Sequence, residues 1–497
     1  MTGKLAQFTN LHGYDAASVA AARVNPVSSM WKTRNRDFGP RFGFAWDIFG
    51  NARTSLRGGF GISYDRIFDN VWSNGAWNPP FYALVDFDAS GSDTIYYSLP
   101  TSVGPAYKPD TLPGPAGRVS VRTMDVALKD SSVQNYYLGI EHQFFQSFLF
   151  RVNYQGSQGR HLPVLMNLNR VDGLRYNPTL SLTQPNALYT GFNYRANNVT
   201  SSYNALVTEV QKRMSHGLQF QFGYTWSRLI DLGSDLFSGE TLQGSYSQPY
   251  YFVSNSHLNF ERGPGAFDHT HNYKVALTWE IPFMRDEKGF IGHALGGWQM
   301  SAFYQGYSGH PIEVYNNRAR FRGNALDPNG LPENIGGDYN LDGVGTDRPL
   351  YVGSTADAAY SGFNPADGIF TDIHKIGCGY AGAKSTNIAA CNSNFAVGTP
   401  NALFINPPGY GVKFGSLGRN VFRAPWFNGL DAALLKNFRV RGEGIKLQIR
   451  GEALNILNHP NFDGIVTNLN DSRFGRAQIL VGSSRSRILQ LGARLTF

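Results

Sequence analysis

The stretch Gly217–Arg228, GLQFQFGYTWSR, alternates without interruption. Leu218, Phe220, Phe222, Tyr224 and Trp226 fall on one side, and Gln219, Gln221, Gly223, Thr225 and Ser227 on the other. Successive side chains of an extended backbone point to opposite faces, so this period of two predicts a β-strand. Its length is the constraint. Ordinary strands run about 5–6 residues, whereas crossing a bilayer at a tilt takes about 9–11. In a soluble sandwich the apolar side would pack on a core. In a membrane barrel it would face lipid, and the Gln/Thr/Ser side would line a wet lumen.

Other segments reach the longer class: Arg53–Tyr64, Gln134–Phe145, Phe148–Ser157, His271–Phe283 and Gly444–Asn455. In the fourth of these, Tyr273, Val275, Leu277, Trp279 and Ile281 share a side. In the last, Ile445, Leu447 and Ile449 oppose Lys446, Gln448, Arg450 and Glu452. One charged and one apolar side on a single long strand fits a lumen and a lipid wall.

Composition agrees. Charged residues are 16% of the 497, against about 25% in typical soluble proteins, while aromatics reach 14% and Gly numbers 56. Mean hydropathy is −0.30, and no stretch approaches the roughly 18 consecutive apolar residues of a membrane helix. Alternating strands average out as mildly polar, so a barrel survives this test. The net charge of +8 is spread along the chain. No Lys/Arg run forms a nucleic-acid patch, so no nucleic-acid partner is expected.

Connections alternate in length. Phe49–Arg53, Phe145–Ser147, Arg213–Gly217 and Arg439–Gly444 are short, and Met284–Gly297 is somewhat longer. Between these hairpins lie Gly/Pro/Asn-rich stretches at roughly 65–133, 158–201, 230–267, 310–424 and 458–484. Short periplasmic turns and long extracellular loops are the asymmetry of bacterial outer-membrane barrels. About eleven strands are expected, from Arg41–Phe49 to Ile488–Phe497. Both end strands then run toward the periplasm. An even closed barrel needs at least one more strand, within residues 1–40 or upstream. The chain ends on Leu489, Leu491, Ala493, Leu495 and Phe497, all on one side of the last strand. A closing strand must pair and so cannot fray.

Several segments make a resemblance specific: PRFGFAWDIFGNARTSLRGGFGISYDR (Pro40–Arg66), SSYNALVTEVQKRMSHGLQFQFGYTWSRLID (Ser201–Asp231), ERGPGAFDHTHNYKVALTWEIPF (Glu261–Phe283), LGRNVFRAPWFNGLDAALLKNFRV (Leu417–Val440), RGEALNILNHPNF (Arg450–Phe462) and the terminal LQLGARLTF. Together these resemble the C-terminal barrel of TonB-dependent outer-membrane receptors, and most of all their Oar-like branch. The resemblance implies an all-β antiparallel transmembrane barrel, with residues 1–497 supplying about 11–12 of some 22 strands and 310–424 forming a long extracellular loop insertion. It implies an aromatic-ended assembly signal (Phe497, Leu495, Leu491) read by the barrel-assembly machinery. It also implies outer-membrane lipid around the wall, the TonB complex as energiser through a plug absent from this sequence, and an extracellular ligand. Near residue 1 there is no plug-like segment, TonB-box candidate or signal peptide.

Candidate sites are few. Asp338, Asn340 and Asp342 precede Gly343 at the alternate spacing of an EF-hand-type Ca²⁺ loop. Pro349 stands where the bidentate Glu belongs, and Asp347 offers an acid of different geometry. The competing reading is a surface loop rich in Asx turns. Cys378 and Cys391 would close a loop disulfide in an oxidising compartment and stay thiols in a reducing one. His269 and His271 of DHTH share a strand face, without a third metal ligand nearby. The segment GYSGH at Gly306–His310 lacks nucleophile-elbow spacing, and no P-loop, dinucleotide or zinc signature is present. No cofactor is expected beyond a structural Ca²⁺, and no catalysis. The charged Lys446, Arg450 and Glu452 either meet substrate or plug, or pair along the wall. Tyr64, Tyr224, Trp226, Trp279 and Trp426 are placed for interfacial girdles. The functional expectation is the barrel of a transporter for a bulky nutrient. The alternative is a passive porin or an adhesion scaffold.

Overall fold

The computed structural model describes residues 5–12, 16–32, 37–81, 119–169, 185–234, 261–284, 287–315, 348, 350–351, 363–364, 369–370, 404–405, 417–441, 445–467, 477–480 and 486–496. Eleven antiparallel strands, in sequence order, make the path of one thirteen-stranded sheet. They are β1 (Arg41–Asp47), β2 (Thr54–Asp65), β3 (Ser131–Phe144), β4 (Phe148–Asn167), β5 (Tyr189–Ser215), β6 (Leu218–Asp231), β7 (His271–Glu280), β8 (Trp298–Tyr307), β9 (Phe427–Arg441), β10 (Ile445–Leu454) and β11 (Ile488–Thr496). Each pairs with the next in the chain, the arrangement that hairpins of alternating strands produce.

The turns at one end are tight for identifiable reasons. His216 and Gly217 both have positive φ (53° and 76°), so a two-residue loop joins β5 to β6 with a twist matching its strands. Between β7 and β8 the wider connection holds one short helix, Gly289–Leu295. The opposite end of the sheet carries all the long connections.

Register fixes the two faces. One row runs Trp46, Leu56, Ile140, Val152, Thr208, Tyr224, Tyr273 and on to Gly306 and Asn428. A second runs Phe150, Val210, Phe222, Val275, Tyr304 and Leu430. Both lie on the apolar face, which is continuous from β1 to β11. The first row starts near the short-turn end of β1 and finishes near the long-connection end of β9. Strands that stagger steadily in this way are tilted, as barrel walls require.

Two strands run furthest past a membrane's width: β4 has 20 residues and β5 has 27. The stretch 158–201 was expected as loop, and much of it is strand instead. The reason is packing. Val164, Met166, Tyr189, Phe192 and Tyr194 are buried against Phe8, Leu11, Val19 and Ala22 of the N-terminal segment. The rings of Phe8 and Phe192 lie 4.4 Å apart between centroids. Val119–Met124 adds a parallel strand alongside the first residues of β5. Leu5–Phe8 pairs with Val24–Val27 as a separate hairpin. The described residues before Arg41 therefore cap the long-connection end and contribute no strand to the main sheet. Among the described residues, β1 is paired only with β2 and β11 only with β10, so both are sheet edges.

Candidate functional site: the polar face and the mouth

The face opposite the apolar band collects the charges. Asp47, Asp65, Glu141, Glu209, Asp231, Glu280, Asp431 and Glu452 all occupy its register positions, with Arg41, Arg57, Arg151, Lys274, Arg450 and Arg494. Across β2 to β5 they form a ladder. Arg151 Nε donates to Glu141 Oε2 at 2.6 Å and Nη1 donates to Glu209 Oε2 at 3.2 Å. Arg57 reaches Glu141 at 3.8 Å. Beyond Glu209 the row continues through Gly223 to Lys274, beside a groove of about 310 Å³ that also takes in Gln221, Thr225 and Asn272. A second groove of about 400 Å³ is lined by Gln219, Thr278, Ser301, Asp431 and Glu452. A third, of about 580 Å³, lies where Gly43, Gly59 and Gly61 leave space among Arg41, Asn135, Tyr137 and Gln155. Alternating charge and amide groups make a wall that water wets and a polar solute can touch.

At the long-connection end, three arginines of the connection after β8 meet acids from the end of β6, from the connection after it and, in Glu313, from their own connection. Arg348 donates to Glu261 at 3.0 Å and to Glu313 at 3.2 Å, with all three side chains buried. Arg419 pairs with the Asp231 carboxylate and donates to the Glu261 carbonyl at 2.8 Å. Arg423 pairs with Asp268, whose other oxygen accepts from the Leu229 amide at 2.5 Å. Two buried carboxylates share Arg348. Burial pushes the Glu313 pKa up to about 8, with Glu261 raising it further and Arg348 opposing. Burial also lowers Arg419 to about 10. His310, 3.6 Å from Asp463, is held below its ordinary value chiefly by burial, with Asp463 opposing.

The histidines of DHTH have structural partners. His269 Nδ1 is 2.6 Å from the Ser308 carbonyl. His271 Nδ1 is 2.9 Å from Tyr224 Oη, and its ring stacks on Trp426. Tyr224 and Tyr273 also stack, at 4.7 Å, in the same aromatic patch. Arg450 and Glu452 pair with each other along β10 at 3.3 Å. Asp338, Asn340, Asp342, Asp347, Cys378, Cys391 and Phe497 lie outside the described residues, as does the side chain of Lys446. Leu491 and Leu495 stand on the apolar face of β11, 88% and 55% exposed. Neither the Arg57–Glu141–Arg151–Glu209 ladder nor the mouth arginines were found from sequence. The former needed strand register, and the latter join residues up to 188 positions apart.

Residues 2–490 match the outer membrane beta barrel domain family. This chain is a member of that family. Its apolar face is accordingly the lipid face, its polar face the inner one, and its place the bacterial outer membrane. No curated protein matches the sequence. Among solved structures, similar chains include the outer membrane transporter YddB from Escherichia coli (10% identity, 96% of this chain and 41% of that one, TM-score 0.43). The ferripyoverdine receptor of the outer membrane of Pseudomonas aeruginosa is similar over 96% of this chain and 35% of its own (10% identity, TM-score 0.40). The FrpB iron transporter from Neisseria meningitidis gives 95% and 39% (10% identity, TM-score 0.34). This barrel chain thus spans less than half the length of each.

Proposed function

We propose that this chain is barrel wall of a TonB-dependent receptor that takes up a bulky nutrient, with the long connections capturing it outside. The observation that carries this is the inner face. Its ion-paired ladder and amide-lined grooves form an extended polar surface, suited to a solute with many hydrogen-bonding groups. An oligosaccharide, a peptide or a metal chelate would each meet that description. The sequence motifs of the receptor barrels support the same reading. In this reading the TonB complex acts through a plug domain, the barrel-assembly machinery reads the terminal strand, Asp338, Asn340, Asp342 and Asp347 bind a structural Ca²⁺, and Cys378 and Cys391 form a loop disulfide.

The test is uptake by cells that carry or lack the encoding gene, supplied with each nutrient class at limiting concentration. Uptake that is lost with the gene and abolished by an uncoupler is expected. Gene-dependent uptake that persists without energy and falls with solute size would replace this reading by a passive porin.

A further inference from the structure

Over the regular part of the sheet, from Ser201 onward in β5, charge sorts by face. Every strand acid named above stands inward. The described charged side chains at outward register positions are Arg160, Lys212, Arg228 and Lys436, all cations. The lower two are used internally. Lys212 Nζ donates to the carbonyls of Ser215 and Leu218 at 2.7 and 2.6 Å, and Lys436 Nζ to that of Gly296. The upper two, Arg160 and Arg228, are exposed.

Between them the outward face changes character. Leu138, Leu206 and Trp226 end the apolar band, exposed at 51%, 37% and 55%. Immediately above, Asn204 Oδ1 accepts from Tyr136 Oη at 2.7 Å and Tyr154 Oη at 2.8 Å. Gln158 Nε2 donates to Tyr136 Oη at 3.2 Å and Ser202 Oγ at 2.8 Å. Arg228 is the register partner of Asn204. A hydrogen-bonded network aimed at hydrocarbon would be costly, so this strip marks the height at which the membrane becomes polar. Cations with no acid beside them among the described outward residues complement an anionic headgroup.

We propose that this strip docks the phosphorylated sugar headgroup of an outer-leaflet glycolipid. Arg228 and Arg160 engage phosphate, and the Tyr136–Asn204–Tyr154–Gln158 network faces sugar hydroxyls. The inference rests on family membership and the outward face, and is independent of what the barrel transports.

Fluorescent lipopolysaccharide titrated into the protein extracted as assembled in outer membranes, in zwitterionic detergent, tests it. Binding is expected to weaken roughly thirtyfold in Arg160→Gln/Arg228→Gln, the size expected of two basic groups near an anionic lipid surface. It should survive in Arg160→Lys/Arg228→Lys, and fall with dephosphorylated lipopolysaccharide. Because both arginines are exposed, the Gln variant should keep the unfolding midpoint of the parent chain. Absence of binding, equal binding by the Gln variant, or displacement by phosphatidylglycerol as effective as by lipopolysaccharide would each overturn the proposal.

Discussion

Arg151 stands between two carboxylates, and removing it would leave Glu141 and Glu209 as like charges on either side of β4. The group is partly exposed, so screening keeps the effect small. Arg151→Ala is expected to cost about 1 kcal/mol or less, with part recovered in Arg151→Ala/Glu141→Gln, read from urea midpoints by tryptophan fluorescence. Glu313 behaves differently because it is buried. Between its ordinary value of 4.5 and its folded value of about 8, the native state holds a proton that the unfolded chain has released. Stability of the mouth therefore falls as pH rises through that window. Glu313→Gln should flatten this dependence, measured as the unfolding midpoint on either side of the window. An unchanged slope in that variant would show that another group sets it. The pairing of Glu141 with Arg151 was not found in the sequence, because it exists only once the strands are in register. Nor was Glu313 found, because its partners Arg348 and Glu261 come from distant parts of the chain.

Strands and turns were the most legible elements. The segments around Phe222, Val275 and Ile449 became strands because alternation sustained over about ten residues leaves no other way to put apolar groups on one side. Extension of β4 and β5 past the membrane was hidden, since it depends on residues 5–22 folding over them. Close approach within the mouth was equally hidden. A Cβ on Gly309 would overlap the Ala424 carbonyl oxygen, and the Ala424 amide donates to the His310 carbonyl at 2.9 Å. Backbone cannot yield as a side chain can. Gly309→Ala is expected to separate Pro311–Ile312 from Phe422–Arg423, seen as faster amide exchange at Ile312 and Phe422. The terminal strand carries an expectation of its own. Deleting Phe497 should reduce the heat-modifiable, folded fraction in the outer membrane. Wild-type levels would sink the assembly-signal reading.

On the scale of the whole molecule, β1 and β11 are edges among the described residues, and both run toward the short-turn end. Pairing them directly would make a parallel contact in an otherwise antiparallel wall. Antiparallel closure takes an odd number of further strands between them. Unpaired strand backbone is intolerable in hydrocarbon. The isolated 497-residue chain is therefore expected to associate through these edges in detergent, giving broad high-mass species in analytical ultracentrifugation. A sharp monomer would indicate that the edges find partners within the chain.

The sequence by itself determined the strand number, the direction of each hairpin, which side of each strand is apolar, and the inequality of the two ends. These follow from period-two patterning and turn chemistry, which are local. Only the tertiary structure decided how the strands stagger, which charges meet across them, and how Arg348, Arg419 and Arg423 tie the mouth together. It also decided that the N-terminal hairpin caps the long-connection end. Those outcomes depend on register and on burial between residues far apart in the chain, and neither quantity exists until the sheet has formed.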